Sequence, residues 1–410
     1  MRILHLTTFL EGGAGRILTA LAIEQRRAGH EVMMVADVGH DQRSTGKGQR
    51  AKVHDSALAR AGVELHTVSS TFKRDLVLNV QAVKQVRALV DARQIDVAHA
   101  HAAIPAMVAR LALGRSRRPV PIVTTLHRWR SAKTREERYV DLTLLDVVDA
   151  VITSSSAARH TLWRHGLADA PVHVVPYGIG ERGNGEPIDA ADVDTLTRLR
   201  EAGATLAMCI GTVGQGKGPS LLLEALRHES LESVHAVFIG DGDAASLLER
   251  AQASGMADRV HVLGYRQDAS RYLTWADMLV VPSRREGLPL AVLEAFRDSV
   301  PVVANAIPEI AEAIDDGRTG YLFDDGSAPS LRAALQRALG ATPDQAQAMR
   351  LRMRTLFDGR YSIDRMVASH ERVYIESLRS VWRVDAGAAG NELPPGLDIP
   401  GAAKLASLVR

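Results

Sequence analysis

At 410 residues the chain is too long for one comfortable hydrophobic core, so two domains are expected. An apolar share of 46% argues for a folded globular protein, and 50 basic against 48 acidic side chains argue against a dedicated nucleic-acid binder. A single cysteine, Cys209, excludes an internal disulfide and a cysteine-based zinc site, and it fits a reducing compartment.

The opening MRILHLTTFL turns polar and glycine-rich at EGGAG, too short and wrongly flanked for a signal peptide. No apolar run reaches the roughly 18 residues of a membrane span. A soluble, cytoplasmic protein is expected. Short runs of Val, Ile and Leu then alternate with helical patterns, the signature of parallel sheets built from strand–helix–strand units. Strands are predicted at 2–8, 31–36, 63–68, 96–101, 121–127, 150–155 and 172–177, with helices at 14–28, 72–93, 103–113 and 155–165. After GIGERGNGEP (178–187) strands restart at 205–213, 234–242, 259–265, 278–283, 301–306 and 320–323.

The Gly/Glu/Pro stretch reads as the hinge between two doubly wound α/β domains, 1–180 and 188–360. A long terminal helix is predicted at about 361–383, and a mobile tail at 384–410. The polar, basic loop at 40–55 is likewise expected to be mobile. Ligands of such sheets bind at the carboxyl ends of strands, so two facing domains imply a cleft.

Four stretches carry chemistry. In SRREGLPLAVLEAF (283–296), Gly287 lets the chain turn off its strand and Pro289 suits a first helical turn. The helix start then offers N–H groups and a positive dipole end to an anion. At ~1.5 Å per residue, Glu286 and Glu294 lie on the order of 10 Å apart. That is too far for two carboxylates sharing one scissile bond, which needs roughly 5–9.5 Å. It suits an elongated ligand with hydroxyls at both ends and phosphates between. The alternative is a helix-capping Glu286 and a solvated Glu294.

The second stretch, IGTVGQGKGPSLLLEAL (210–226), runs strand, glycine-rich turn, Lys217, helix; its glycine spacing is not that of a Walker loop. In TFLEGGAGRI (8–17), Gly12 and Gly13 open a helix, another anion-friendly turn. His99, His101 and His127 fall at strand ends. His99 and His101 share a strand face, but no third ligand is apparent, so no metal site is assigned.

In this order, these stretches resemble retaining glycosyltransferases of the two-Rossmann-domain (GT-B) class, the family four type, over about residues 1–380. The most specific block runs from FIGDGD (238–243) through VLGY, ADMLVVPS and EGLPLAVLEAF to GRTGYLF (317–323). The resemblance implies that Glu286, with the backbone of Gly287, Leu288, Pro289 and Leu290 nearby, contacts the donor sugar. It places Glu294 on the ribose, Lys217 on the diphosphate, and Gly13 beside the phosphate and acceptor. His127 would approach the donor sugar, making Glu286, His127 and Lys217 the catalytic candidates. Gly12, Arg16, His101 and Arg128 fall on the acceptor side, and the terminal helix packs back on the first domain.

Three positions depart from the family pattern. Thr212 stands where an arginine is usual, leaving Arg266, Arg284 or Arg285 as replacement cations. The hinge reads Pro176-Tyr177-Gly178, and Gly-Gly-Ala-Glu-Arg reads Gly-Gly-Ala-Gly-Arg, with Arg16 kept. The implied reaction is sugar transfer from a nucleotide-sugar, with uridine diphosphate favoured by family frequency, in cell-envelope or secondary-metabolite glycoconjugate synthesis. Lys217, loop N–H groups and the helix dipole would stabilise the departing diphosphate, so no metal or other cofactor is required. The acceptor is expected to be a small molecule, a glycan or a lipid-linked group. The basic loop and residues 128–138 are candidates to meet it, with weak association at the inner face of a membrane. The competing readings are a sugar phosphorylase or nucleotide-sugar epimerase on the same fold, and a non-catalytic nucleotide-sugar binder.

Overall fold

The computed structural model describes residues 1–8, 10, 12–36, 56–68, 76–114, 116, 118–129, 133–183 and 187–382. The basic loop at 40–55 and the tail at 384–410 lie outside the described residues. The chain divides into two compact units. One is Met1–Gly178 with the segment that begins at Ile363, the other Ile179–Ser362.

The first unit contains β1 (Arg2–Thr7), β2 (Glu31–Ala36), β3 (Glu64–Thr67), β4 (Val97–Ala100), β5 (Ile122–Leu126), β6 (Ala150–Thr153) and β7 (Val172–Val174). They form one sheet in the order β3-β2-β1-β4-β5-β6-β7, with every pairing parallel. β4 and β5 are buried at every residue, which is why they read as continuous rather than alternating patterns.

The second unit contains β8 (Thr205–Ile210), β9 (Val234–Ile239), β10 (Val260–Gly264), β11 (Met278–Val281), β12 (Val302–Asn305) and β13 (Tyr321–Phe323). Their order is β10-β9-β8-β11-β12-β13, again all parallel. In each sheet the winding reverses once, between β1 and β4 and between β8 and β11. The crevice beyond the carboxyl ends at such a reversal is where open α/β sheets take ligands.

The helix Ile363–Val381 belongs to the first unit, where it packs on the helix Gly12–Arg27. It buries Met366, Val373, Tyr374 and Leu378 completely or nearly so. Each such side chain contributes about 1.5–3 kcal/mol of apolar burial. Its start at Ile363 follows a wide turn over Phe357–Tyr361 that interrupts the preceding helix Pro343–Leu356.

The helix Arg135–Asp146 is not among the clearest helical patterns of the sequence. Its start carries a capping box in which Thr134 accepts from the Glu137 N–H and Glu137 accepts from the Thr134 N–H. The TREE sequence held that signal, although its apolar stripe is thin. The departure at Gly15 also has a physical cause. Gly15 lies inside the first helix, and a Cβ there would stand 1.9 Å from the Leu10 carbonyl oxygen.

Candidate functional site

In the second unit, the loops after β8, β9 and β11 lie against one another because glycine permits the approach. Gly240 and Gly242 have φ of +158° and +122°, and a Cβ on them would stand 2.0 Å from the Gly211 carbonyl oxygen and 2.1 Å from that of Val213. Gly218, at φ +70°, would meet the Pro282 carbonyl oxygen at 2.1 Å. Backbone bonds stitch the loops: the Val213 N–H donates to Asp241 at 2.5 Å and the Arg284 N–H to Gly216 at 3.3 Å. Gly214 and Gly216 are different, with no atom within 4 Å of a would-be Cβ. Their lack of a side chain leaves open backbone that a ligand can approach.

Lys217 ends the short turn Gln215–Lys217, and its Nζ donates to Oε1 of Glu286. Lys217 is 40% exposed and Glu286 12%, so the cation leans out of the crevice over a shielded carboxylate. Two helices begin beside this pair, Pro219–Leu226 and Leu290–Arg297. Pro289 was expected inside the first turn; it is instead the N-cap, with φ −68° and ψ 131°. Residues 291–297 are all buried. Glu294 is 1% exposed, which overturns the alternative of a solvated helix residue. A carboxylate is placed in such surroundings only where polar partners meet it. Leu288 is buried, while Gly287 and Leu290 are half-buried.

The candidate cations separate clearly. Thr212 donates from Oγ1 to Asp241 at 3.1 Å. Arg266, expected to bind the donor, is committed elsewhere: its Nε and Nη2 clamp Asp192 at 2.6 and 2.8 Å, and Nε also lies 3.1 Å from the Tyr272 hydroxyl. A guanidinium so engaged with a nearly buried carboxylate ties the loop after β10 to the helix Ala190–Glu201. The Arg284 guanidinium lies over Gly326, 2.4 Å from where a Cβ would stand. Arg285 is exposed and makes no side-chain hydrogen bond or ion pair among the described residues.

In the first unit, the register pairs His5 of β1 with His99 of β4, and His101 follows on the same face. Sequence reasoning found no third partner for His99 and His101; the parallel register supplies His5. The three rings offer nitrogen atoms within 4.8 Å of one another. Each ring nitrogen, however, already lies within hydrogen-bond distance of protein. His5 meets His101 at 3.1 Å and Gln25 at 2.8 Å, while His99 meets Tyr374 and Thr125, both at 2.7 Å. His101 also meets His127 at 3.2 Å, and His127 meets the Tyr177 hydroxyl at 2.9 Å. A metal ion would have to displace several of these bonds. Burial and the neighbouring rings hold His99 and His101 well below the usual imidazole range, and burial brings His5 and His127 down to about 4. The cluster is therefore neutral at pH 7.

His101 was expected to face an acceptor. It is 7% exposed, and both of its ring nitrogens meet histidines of this cluster. His127 is half-buried at the end of β5. Gly12, at φ +70°, opens the helix after β1, and Gly13, Arg16 and Arg128 are exposed.

Both units are parallel-sheet Rossmann-like domains, and the fold is that of GT-B glycosyltransferases. The chain is similar to HepE of Anabaena, solved in complex with UDP, at 19% identity and a TM-score of 0.72 over 91% of this chain and 99% of that one. It is also similar to a glycosyltransferase from Rickettsia africae, at 16% identity and 0.75 over 94% and 99%. Residues 11–181 match the family model Glycosyltransferase Family 4, and residues 204–341 match Glycosyl transferases group 1. A D-inositol 3-phosphate glycosyltransferase of Xylanimonas cellulosilytica is 28% identical over 253 residues, 56% of this chain and 60% of the relative. A glycogen synthase of Pseudomonas fluorescens is 29% identical over 218 residues, 52% and 44% of the two chains. The chain thus spans about half the length of these curated relatives. No described helix is long and apolar enough to cross a membrane.

Proposed function

We propose that this chain is a glycosyltransferase that moves a sugar from a nucleotide-sugar, of UDP type, to an acceptor hydroxyl with retention of configuration. The observation that carries the reading is the Lys217–Glu286 pair at the β8/β11 reversal, set beside two helix starts and the open backbone of Gly214 and Gly216. A diphosphate needs cations and N–H donors, and a sugar needs a carboxylate for its hydroxyls; the pair supplies one of each.

In the reaction, the bond from the anomeric carbon to the diphosphate oxygen breaks with its electron pair on the phosphate. The acceptor oxygen bonds that carbon on the same face, and its proton goes to the departing phosphate oxygen. Lys217, the loop amides and the helix starts meet the charge that appears on the diphosphate. Glu286 orients the sugar, and Glu294 serves the ribose. Arg285 is the second cation, in place of the arginine absent at Thr212, because Arg266 is tied to Asp192. The acceptor is a hydroxyl of a small molecule, glycan or lipid-linked group.

A thermal-shift panel of nucleoside diphosphates tests the donor, since a ligand at a hundred times its Kd adds about 2.7 kcal/mol. UDP should raise the melting temperature, and a panel in which none does so refutes the reading. Glu286→Gln should retain UDP binding and abolish transfer. Binding without turnover on any acceptor, indifferent to that change, would instead mark a nucleotide-sugar binder. The anomeric proton coupling of the product reports retention.

A further inference from the structure

The first unit contains a hydrogen-bond chain that the proposed transfer does not use. It runs from the Tyr177 hydroxyl to His127 Nδ1 (2.9 Å), from His127 Nε2 to His101 Nδ1 (3.2 Å), and from His101 Nε2 to His5 Nδ1 (3.1 Å). It continues from His5 Nε2 to Gln25 Oε1 (2.8 Å) and from Gln25 Nε2 to the Tyr374 hydroxyl (3.1 Å). From Tyr374 it passes to His99 Nδ1 and from His99 Nε2 to Thr125 Oγ1, both at 2.7 Å.

A neutral imidazole has one donor nitrogen and one acceptor, and a hydroxyl both donates and accepts. Every such member can serve in either sense. Gln25 cannot, because its carbonyl only accepts and its amide only donates. With the carbonyl toward His5, the His5 proton sits on Nε2, so its Nδ1 must accept from Nε2 of His101. His101 Nδ1 then accepts from Nε2 of His127, whose Nδ1 accepts from Tyr177. On the other side, the Gln25 amide donates to Tyr374, Tyr374 donates to His99 Nδ1, and His99 Nε2 donates to Thr125. All four histidines share one tautomer. Rotating the Gln25 amide by half a turn would reverse all of them together.

We propose that Gln25 is a positioning residue that fixes the proton of His127 on Nε2, acting through His5 and His101. The Tyr177 hydroxyl marks where the alternative lies, for it also stands 3.1 Å from the His127 carbonyl oxygen. If its proton went there, His127 would carry its own proton on Nδ1. The sense set by Gln25 directs the Tyr177 proton to the ring instead. His127 then presents Nε2 as a donor, through the longest link of the chain, on its half-buried member. A ligand oxygen that displaces His101 there is held as an acceptor. The value of this for transfer rests on the role at the donor sugar that the family resemblance implies for His127; the proton position does not.

Ser154 also hydrogen-bonds the Tyr177 hydroxyl, and as a donor there it leaves the Tyr177 proton for the ring. His370 lies 5.5 Å from His99 between ring centroids, but its Nδ1 donates to the Met366 carbonyl at 2.8 Å, outside the chain. Glu371, on the same helix, is taken by His30 at 2.7 Å. His370 must therefore be the Nδ1–H tautomer, opposite to the other four, and it serves as an internal control.

The test is ring-nitrogen NMR on the full chain labelled with 15N-histidine at pH 7, with peaks assigned from single histidine variants. His5, His99, His101 and His127 should each show one tautomer, Nε2–H, and His370 the other. Gln25→Leu should turn His127, three links away, into a mixture or into Nδ1–H. Gln25→Glu, which still accepts from His5 but no longer donates to Tyr374, should restore Nε2–H at His127 and release His99. Tyr374→Phe should release His99 and leave His127 unchanged, so the proposal stays testable if the leucine variant does not fold. Mixed tautomers in the unaltered protein, or a His127 signal indifferent to Gln25→Leu, would overturn it. A changed His127 tautomer with unchanged transfer would count against the functional reading of His127 and not against the chain's order.

Discussion

Acid should unfold the first unit ahead of the second. His5 and His370 are 0% and 3% exposed, and burial holds each ring at about 4 against 6.5 for the free side chain. Between those values the unfolded chain binds a proton that the folded ring refuses, so stability falls as pH falls below 6.5 and continues to fall until about pH 4. Each ring costs about 1.4 kcal/mol per pH unit in that window. The two together cost about 2.7 kcal/mol per unit, or about 7 kcal/mol across the full span, which matches the whole stability of many domains at about 5–15 kcal/mol. His99 and His101 push in the same direction. At pH 7.5 the contribution vanishes, because the rings are neutral in both states. Hydrogen exchange read by mass spectrometry separates the units, comparing peptides from Ile363–Val381 with peptides from β8 to β13 at pH 7.5, 6 and 5 after correction for intrinsic rates. The terminal-helix peptides should lose protection first. His370→Leu, which removes one titrating ring, should flatten their pH slope by about 1.4 kcal/mol per unit. Equal protection at pH 5 and 7.5, or a slope untouched by the substitution, would refute the reasoning.

Two further outcomes separate binding from scaffolding in the second unit. Gly218→Ala forces a Cβ to 2.1 Å of the Pro282 carbonyl oxygen at a left-handed φ, so it should cost at least about 1–3 kcal/mol in thermal unfolding and abolish UDP binding. Arg285→Ala should weaken UDP about 10–100-fold in calorimetry while leaving the melting temperature unchanged, as expected for loss of a charge-assisted phosphate contact worth about 1.5–3 kcal/mol. Arg266→Ala should do the reverse. It leaves the nearly buried Asp192 with the Tyr272 hydroxyl but no cation, at about 1–3 kcal/mol, without touching the ligand.

The doubly wound sheets were legible because parallel strands buried on both faces leave short continuous apolar runs, and both strand orders fit that pattern. Lys217 and Glu286 were legible as separate residues in two motifs, 69 positions apart, and the β8/β11 reversal is what makes them neighbours. The fate of Arg266 was not legible. Its partner Asp192 is 74 positions away on the helix Ala190–Glu201, and no local spacing announces that pairing. His5 was hidden for a related reason. A lone histidine in RILHLTT says nothing until the register sets it beside His99, and Gln25 and Tyr374 join only through helix packing. The Gly15 departure looked like a lost glutamate in sequence. In the fold it is a steric requirement imposed by Leu10.

The Lys217–Glu286 pair carries a last consequence, because a ligand phosphate and Glu286 compete for the same ammonium group. With Lys217 40% exposed, the pair belongs with surface ion pairs that contribute about 0–1 kcal/mol, so its stabilising effect on the fold is small. Lys217→Met and Glu286→Gln should therefore each melt within about 1 kcal/mol of the unaltered protein. Their effects on UDP should diverge. Lys217→Met removes a charge-assisted contact to phosphate and should weaken binding about 10–100-fold. Glu286→Gln frees the lysine from its internal partner and should leave UDP affinity unchanged or tighten it, by no more than about fivefold, the equivalent of about 1 kcal/mol. The carboxylate's own work appears only when a sugar is attached, as a loss of turnover and of nucleotide-sugar affinity relative to UDP. If Glu286→Gln weakens UDP as much as Lys217→Met does, the carboxylate is holding the lysine in place for the phosphate rather than waiting for the sugar, and its assignment to the donor's hydroxyls is wrong.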